Sequence, residues 1–174
     1  MAWTLRPATL ADAERLARCV ADGFAAYRDF APADWEPPSF EHELDLLERG
    51  LPTPDVWGLL AETADGELAG HVAIRSAATT AVSPSDEPDL AHFWQLFVAP
   101  AHQGSGLARA LHDEALREAA AREYRALRLF AAAGQARARR FYEREGWVAQ
   151  GPPYVLEGFG MEVVEYRRPI SSSV

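Results

Sequence analysis

In the stretch Leu96-Phe97-Val98-Ala99-Pro100-Ala101-His102-Gln103-Gly104-Ser105-Gly106-Leu107-Ala108-Arg109, an apolar run passes through a small-residue turn straight into a helical pattern. The chemistry open to such a turn is anion binding. The first N–H groups of a helix have no internal acceptor and lie at the positive end of its dipole, so they can hold a pyrophosphate without any lysine. Glycines at 104 and 106 permit the tight turn and keep side chains out of the anion's way. An ordinary strand-to-helix connection has the same composition, because an isolated Gly-x-Gly is a weak signal. Several rival chemistries are excluded. All 17 cationic side chains are Arg, so neither a lysine-bearing phosphate loop nor a lysine Schiff base can be built. Gly-x-Ser-x-Gly is absent, and the single cysteine, Cys19, offers neither a disulfide, a zinc-ligand spacing nor a paired redox motif. A dinucleotide fingerprint would want Gly or Ala where Arg109 stands. No metal is expected.

The elements that must position this turn follow from periodicity. Thr4–Arg6 reads as an opening strand, and Leu10, Ala13, Leu16, Ala17, Val20 and Phe24 recur at helical spacing in a helix ending near Tyr27. Prolines break the pattern before Phe40, Leu44 and Leu47 outline a second helix, stopped by Gly50 and Pro52. Residues 56–62 and 67–75 form a hairpin, 79–90 a polar loop, and 92–98 a strongly strand-like run. A helix from Gly104 to about Arg122 leads to a strand at 126–132, then a short Arg-rich helix over 135–145 closed by Gly146. Two last strands, near 147–149 and 161–168, flank Gly151-Pro152-Pro153. The order is β-α-α-β-β-β-α-β-α-β-β. We expect one α/β (α+β) domain over residues 1–174, with its core at about 4–168 and a frayed tail at 171–174.

A net charge of −9 opposes binding to nucleic acid, and no apolar run is long enough for a membrane span. With no leader-like N-terminus, a cytoplasmic location is expected. The charge is uneven: residues 1–100 carry 6 Arg and 17 acids, whereas residues 101–145 carry 9 Arg and 6 acids. The locally positive segment contains the glycine turn and suits an anionic partner.

Two motifs resemble those of the GNAT acyltransferases. Gln103-Gly104-Ser105-Gly106-Leu107-Ala108 is similar to that family's Gln/Arg-x-x-Gly-x-Gly/Ala, preceded by a matching strand end at Val98-Ala99-Pro100. Gln135-Ala136-Arg137-Ala138-Arg139-Arg140-Phe141-Tyr142-Glu143-Arg144-Glu145-Gly146-Trp147 resembles its Asn-x-x-Ala-x-x-Phe-Tyr-x-x-x-Gly-Phe segment. The resemblance implies a GNAT fold, a mixed, mostly antiparallel, splayed sheet of about six or seven strands flanked by about four helices. It also implies an acetyl-CoA-dependent N-acetyltransferase with homodimers common in the family. Main-chain groups of Leu96, Phe97 and Val98 would then grip the acetyl and pantetheine groups as a false strand. Gln103, Gly104, Ser105, Gly106, Leu107, Ala108 and Arg109 would face the pyrophosphate. Tyr142 would be the general acid at the departing thiolate.

Two departures matter. Gln135, which the resemblance puts among the cofactor-binding residues, stands where the family has Asn, so the hydrogen bond contributed there near the cofactor is longer or lost, and the central strand lacks the carboxylate from which the family often draws its base. His92 is a candidate base by way of water, although a histidine beside Trp94 is more often packed. The family's acceptor site would be roofed here by residues 27–36 and 151–154, with Tyr27, Trp35 and Tyr154 as candidate contacts to a small-molecule or peptide amine. A CoA-binding sensor or regulatory domain of the same fold, without turnover, is the alternative.

Overall fold

A computed structural model describes residues 3–170; the expected frayed tail lies outside the described residues. Strand β1 (Trp3–Pro7) leads into helix α1 (Ala13–Ala25). The junction is fixed by Asp12, which accepts from the Thr9 backbone N–H and from the Arg6 guanidinium through both oxygens, at 2.7 and 2.9 Å. That pairing holds the Asp12 carboxyl well below the usual carboxylate range. Helix α2 (Phe40–Gly50) starts at Ser39, whose Oγ accepts from the His42 N–H. Strands β2 (Trp57–Thr63), β3 (Leu68–Ser76) and β4 (Leu90–Val98) follow as an antiparallel meander. Helix α3 (Leu107–Ala121), β5 (Ala126–Ala132), α4 (Ala136–Arg144), β6 (Val148–Ala149), β7 (Tyr154–Val155) and β8 (Glu162–Pro169) complete the chain. The eight strands form one sheet in the order β1-β2-β3-β4-β5-β8-β6, with β7 also on β8. The short β7 goes beyond the expected strand set; it is only two residues long, too short for its alternation to show in sequence.

Both faces of the sheet are covered. Leu107, Leu111, Ala115 and Ala119, the stripe read from periodicity, pack α3 onto one face with Phe93, Leu127, Leu129 and Tyr166. Leu16, Ala17 and Leu47 seat α1 and α2 on the other, over Leu60. Among the described residues no helix is long and apolar enough to cross a membrane.

The site is made by a parting of the two parallel strands. β4 and β5 pair only at Leu90, Ala91 and His92 with Ala126, Leu127 and Arg128. Beyond that, β4 runs on to Val98 and β5 to Ala132 without pairing to each other, and β5 bonds β8 instead. On its other side β4 stays paired with β3, but the register shifts so that Ala73 faces Gln95 while Ile74 faces Phe93. Trp94 is the extra residue. This bulge turns both Trp94 and Gln95 toward the α1/α2 face, where Trp94 meets Gly50 and Gln95 meets Glu43.

Candidate active site

The open edge of β4 carries Leu96, Phe97 and Val98, with main-chain groups that have no strand partner on the β5 side. Phe97 is fixed from the α1 side: a Cβ on Gly23 would lie 2.2 Å from its ring, so only glycine lets the ring seat there. His71 stacks on its other face, with centroids 5.8 Å apart and 17° between planes.

At the end of β4, Gly104 and Gly106 both adopt left-handed backbone, with φ of 81° and 89°. The helix therefore begins at Leu107 rather than Gly104, because two such residues cannot join a right-handed helix. A Cβ at either glycine would meet nothing within 4 Å, so the turn presents bare backbone to open space. Such a turn at a helix start fits a pyrophosphate held by main-chain donors. Leu107 is fully buried under the sheet, whereas Ser105 turns its hydroxyl to the His102 carbonyl at 2.6 Å. Ala108 follows in the first turn of α3. Gln103 bridges the opening: its Nε2 donates to the Val98 carbonyl at 3.4 Å and its Oε1 accepts from Arg137 Nη1 at 2.6 Å. The cation beside this turn is thus Arg137, from α4. Arg109 turns instead toward Asp113 and Glu145, at 3.8 and 3.7 Å. Its guanidinium, expected over the pyrophosphate, is held here by Asp113 on α3 and by Glu145 just after α4.

Tyr142 sits on α4 among Phe93, Phe141, Trp147 and Tyr166, ring edge to ring face with the first three. Burial raises its phenol above the ordinary tyrosine value, and the nearby Tyr27 adds to the shift. The group is therefore protonated at neutral pH and makes no hydrogen bond among the described residues, leaving its proton free to donate. Tyr27 reaches toward it from the opposite wall. Burial pushes Tyr27 up to about 12, against a weaker opposing effect from the Gln135 side chain. Gln135 stands immediately before α4, on the Tyr27 side.

Tyr27 belongs to an aromatic roof with Phe24, Phe30, Trp35 and Phe159. Trp35 is buried, and its indole N–H donates to the Phe159 carbonyl at 2.9 Å. Phe30 presses on Gly134, where a Cβ would be 2.7 Å from its own. A cleft of about 440 Å³ opens at Trp35 between Asp34 and Glu36 on one side and Gly158–Gly160 on the other. Arg28 is already paired with Glu36 at 3.1 Å. Tyr154 is 40 % exposed and lines a second cleft, of about 560 Å³, between the 81–84 and 154–158 loops.

His92 lies where β4 and β5 still pair, buried beside Arg128 and Arg75. Burial, reinforced by those two guanidinium groups, pulls its pKa down to about 3. So weak a base would take little of an ammonium proton at pH 7, and the role expected for His92 is not supported. A carboxyl whose pKa lies nearer neutrality was not read from sequence. Glu43 on α2 is only 4 % exposed, and its Oε2 accepts from Gln95 Nε2 at 3.3 Å. Gln95 Oε1 in turn accepts from His71 Nε2 at 3.0 Å. Burial pushes the Glu43 carboxyl up to about 7, with the Gln95 bond pulling weakly the other way. His71, pulled down to about 4 by burial, stays neutral. The sequence did hold a sign of this: Glu43 falls three residues after Phe40 and four before Leu47, on the apolar stripe of its helix.

His112, Asp113 and Glu145 bring ligand atoms within 4.8 Å of one another. Trp147 Nε1 donates to His112 Nε2 at 3.0 Å, so His112 carries its proton on Nδ1 and donates it to Asp113, also at 3.0 Å. Both ring nitrogens are engaged, and the arrangement reads as a packed polar link, not a metal centre.

The residues expected to act together thus lie around one feature, the parting of β4 and β5, with a bare glycine turn at the end of β4 and a buried phenol on α4. The GNAT acetyltransferase family model matches residues 21–147, and the chain belongs to that family. No curated protein matches it. Among solved structures, a Desulfovibrio desulfuricans protein described as a GNAT-family acetyltransferase shares 24% identity at a TM-score of 0.74, covering 98% of this chain and 100% of its own. Spermidine N-acetyltransferase from Vibrio cholerae, in complex with CoA and spermine, shares 23% identity at a TM-score of 0.70, covering 98% and 96%. The Streptococcus mutans protein smu.2055 shares 16% at a TM-score of 0.75, covering 97% and 99%. At these identities the likeness is one of fold.

Proposed function

We propose that the protein transfers an acetyl group from acetyl-CoA to a primary amine of a small molecule or peptide, by direct attack within a ternary complex. The observation that carries this reading is the unpaired edge of β4 at Leu96–Val98, leading directly into the left-handed glycine turn at 104–106. An extended amide-bearing arm can add to such an edge as a strand does, and its pyrophosphate then meets the helix start. Gln103 and Arg137 lie at the same mouth. The acceptor enters from the α1/α2 side, under the aromatic roof and past Asp34 and Glu36.

In the reaction the amine nitrogen bonds to the thioester carbonyl carbon and the carbon–sulfur bond breaks. Tyr142 donates its hydroxyl proton to the leaving sulfur, and its own proton is restored from solvent. Glu43, poised between its two protonation states near pH 7, receives the proton that the acceptor nitrogen sheds. Gln95 holds that carboxyl against the strand that grips the donor.

The test is a panel of primary amines, spermidine among them, assayed with acetyl-CoA for release of the CoA thiol. Amine-dependent release is expected. Tight acetyl-CoA binding with no release from any amine would favour a CoA-binding module without turnover.

A further inference from the structure

Arg128 is a buried cation without a counter-ion. It lies on β5 facing the α1/α2 side, 3 % exposed, with no carboxylate within 4 Å among the described residues. The acids nearest to it in charge, Glu165 and Glu87, are both held by Arg167, at 2.8 and 2.6 Å. Arg75, near His92 on β3, is paired with Asp55 at 3.6 Å, and Arg167, in register with Arg128 on β8, has both of those acids. What Arg128 has is a bond from Nη2 to Thr80 Oγ1 at 3.3 Å, a close one to the Ser83 carbonyl, and the face of Phe130 at 5.0 Å. Its Nε–H is buried with no partner, and so is Nδ1 of His92, its neighbour in register on β4. A guanidinium withdrawn from water normally brings its carboxylate with it, because an uncompensated buried charge is strongly unfavourable.

The surroundings say what would complete it. Ser83, whose carbonyl takes the Arg128 N–H, lines the cleft of about 560 Å³ together with Val82, Pro84, Tyr154 and Leu156. Ser83 is held in left-handed backbone, with φ of 52°, which is unfavourable for a non-glycine residue. The chain thus spends conformational energy to place one neutral oxygen on a fork built for two charged ones. Arg128 belongs to the last β4/β5 pair before the strands part, so its bond to the Ser83 carbonyl ties the wall of this cleft to the closed end of the opening.

We infer that Arg128 is the anion-recognition residue of the acceptor site, and that the acceptor amine carries a carboxylate or phosphate whose oxygens replace the Ser83 carbonyl on the guanidinium. This rests on the transferase reading above and narrows it to amines bearing an anionic group.

Matched acceptors test it: phenylalanine against phenethylamine, lysine against cadaverine, and phosphoethanolamine against ethanolamine. A charge-assisted hydrogen bond to a buried Arg corresponds to about a ten- to hundredfold preference in kcat/KM for the anionic member. Arg128→Met should abolish that preference without lowering the Tm, since it removes an unpaired buried charge; Arg128→Lys should keep part of it. Preference confined to the phosphate pair identifies phosphate as the group read, and preference in the amino-acid pairs identifies carboxylate. Equal use of both members, or a preference that survives Arg128→Met, overturns the inference while leaving the transferase reading intact. Ligand-induced Tm shifts with CoA present separate the remaining cases. An anionic amine that raises the Tm of the wild type but not of Arg128→Met, without turnover, supports the site and sinks the transferase reading. No shift and no turnover overturns both.

Discussion

Replacing Glu43 by Gln should stabilise the protein, and by an amount that depends on pH. Glutamine keeps an oxygen that accepts from Gln95 Nε2, so the 3.3 Å bond and the packing persist while the charge goes. The carboxyl has a folded pKa of about 7 against an ordinary 4.5. A carboxyl with a raised folded pKa binds more protons in the native state, so its contribution falls as pH rises from the unfolded value through the folded one. With those two values, ionisation should cost the native state about 1 kcal/mol at pH 5 and about 3 kcal/mol at pH 8, where both states are ionised. His71, at about 4, does not change its charge in this window. Urea unfolding of wild type and Glu43→Gln at pH 5 and pH 8 should therefore show the variant gaining about 2 kcal/mol more at the higher pH. The catalytic counterpart is a loss: with an amine that the wild type acetylates, Glu43→Gln should lower kcat/KM about a hundredfold or more and remove the limb of the pH profile near 7. An equal stability gain at both pH values would refute the argument that burial holds this carboxyl near neutrality.

Tyr142→Phe should leave the Tm and acetyl-CoA affinity nearly unchanged, since the hydroxyl has no hydrogen-bond partner among the described residues, and should lower kcat roughly ten- to a hundredfold where chemistry is rate-limiting. Gly106→Glu should abolish calorimetric acetyl-CoA binding by setting a carboxylate in the bare turn, with a lowered Tm because a side chain at φ 89° is strained. Gly23→Ala pits a helix-propensity gain of about 1 kcal/mol against about 1–3 kcal/mol for overpacking at Phe97. A Cβ 2.2 Å from that ring makes the clash win, so chemical denaturation should show a less stable protein. In a Phe97→Ala background, itself less stable for the lost ring, Gly23→Ala should no longer destabilise. Acetyl-CoA affinity should fall as salt is raised, by screening over a Debye length of about 8 Å near physiological ionic strength, if the Arg excess of residues 101–145 attracts the donor.

Much of the scaffold was legible because its signals are local. The strand at 126–132 has the expected bounds, α3 carries its stripe of Leu107, Leu111, Ala115 and Ala119, and the glycines at 104 and 106 have the backbone that a tight turn demands. What sequence could not supply depends on residues far apart in the chain. Glu43 sits in a helix rich in acids, and its burial follows from Gln95, 52 residues away, which a bulge at Trp94 turns toward it. Arg109 was expected at the glycine turn because it is close in sequence, yet Asp113 and Glu145 draw it off while Arg137 arrives from the next helix. His92 looked like a base because its ordinary pKa lies near 7; burial suppresses it, reinforced by two arginines that come from β3 and β5. Arg128 interrupts an otherwise apolar strand, and only the folded sheet reveals that it sits beside His92 on the face opposite α3, with its Nε unpartnered among the described residues.

Transfer to the amine is read most directly from the fate of the acetyl carbon. Acetyl-CoA labelled with ¹³C at the acetyl carbonyl, incubated with the protein and an amine that promotes thiol release, can be followed by NMR. The predicted result is a thioester resonance replaced by an amide resonance, only with protein and amine together, and markedly more slowly with Tyr142→Phe. A label that remains in the thioester, or that appears as free acetate at a rate independent of the amine, would contradict it.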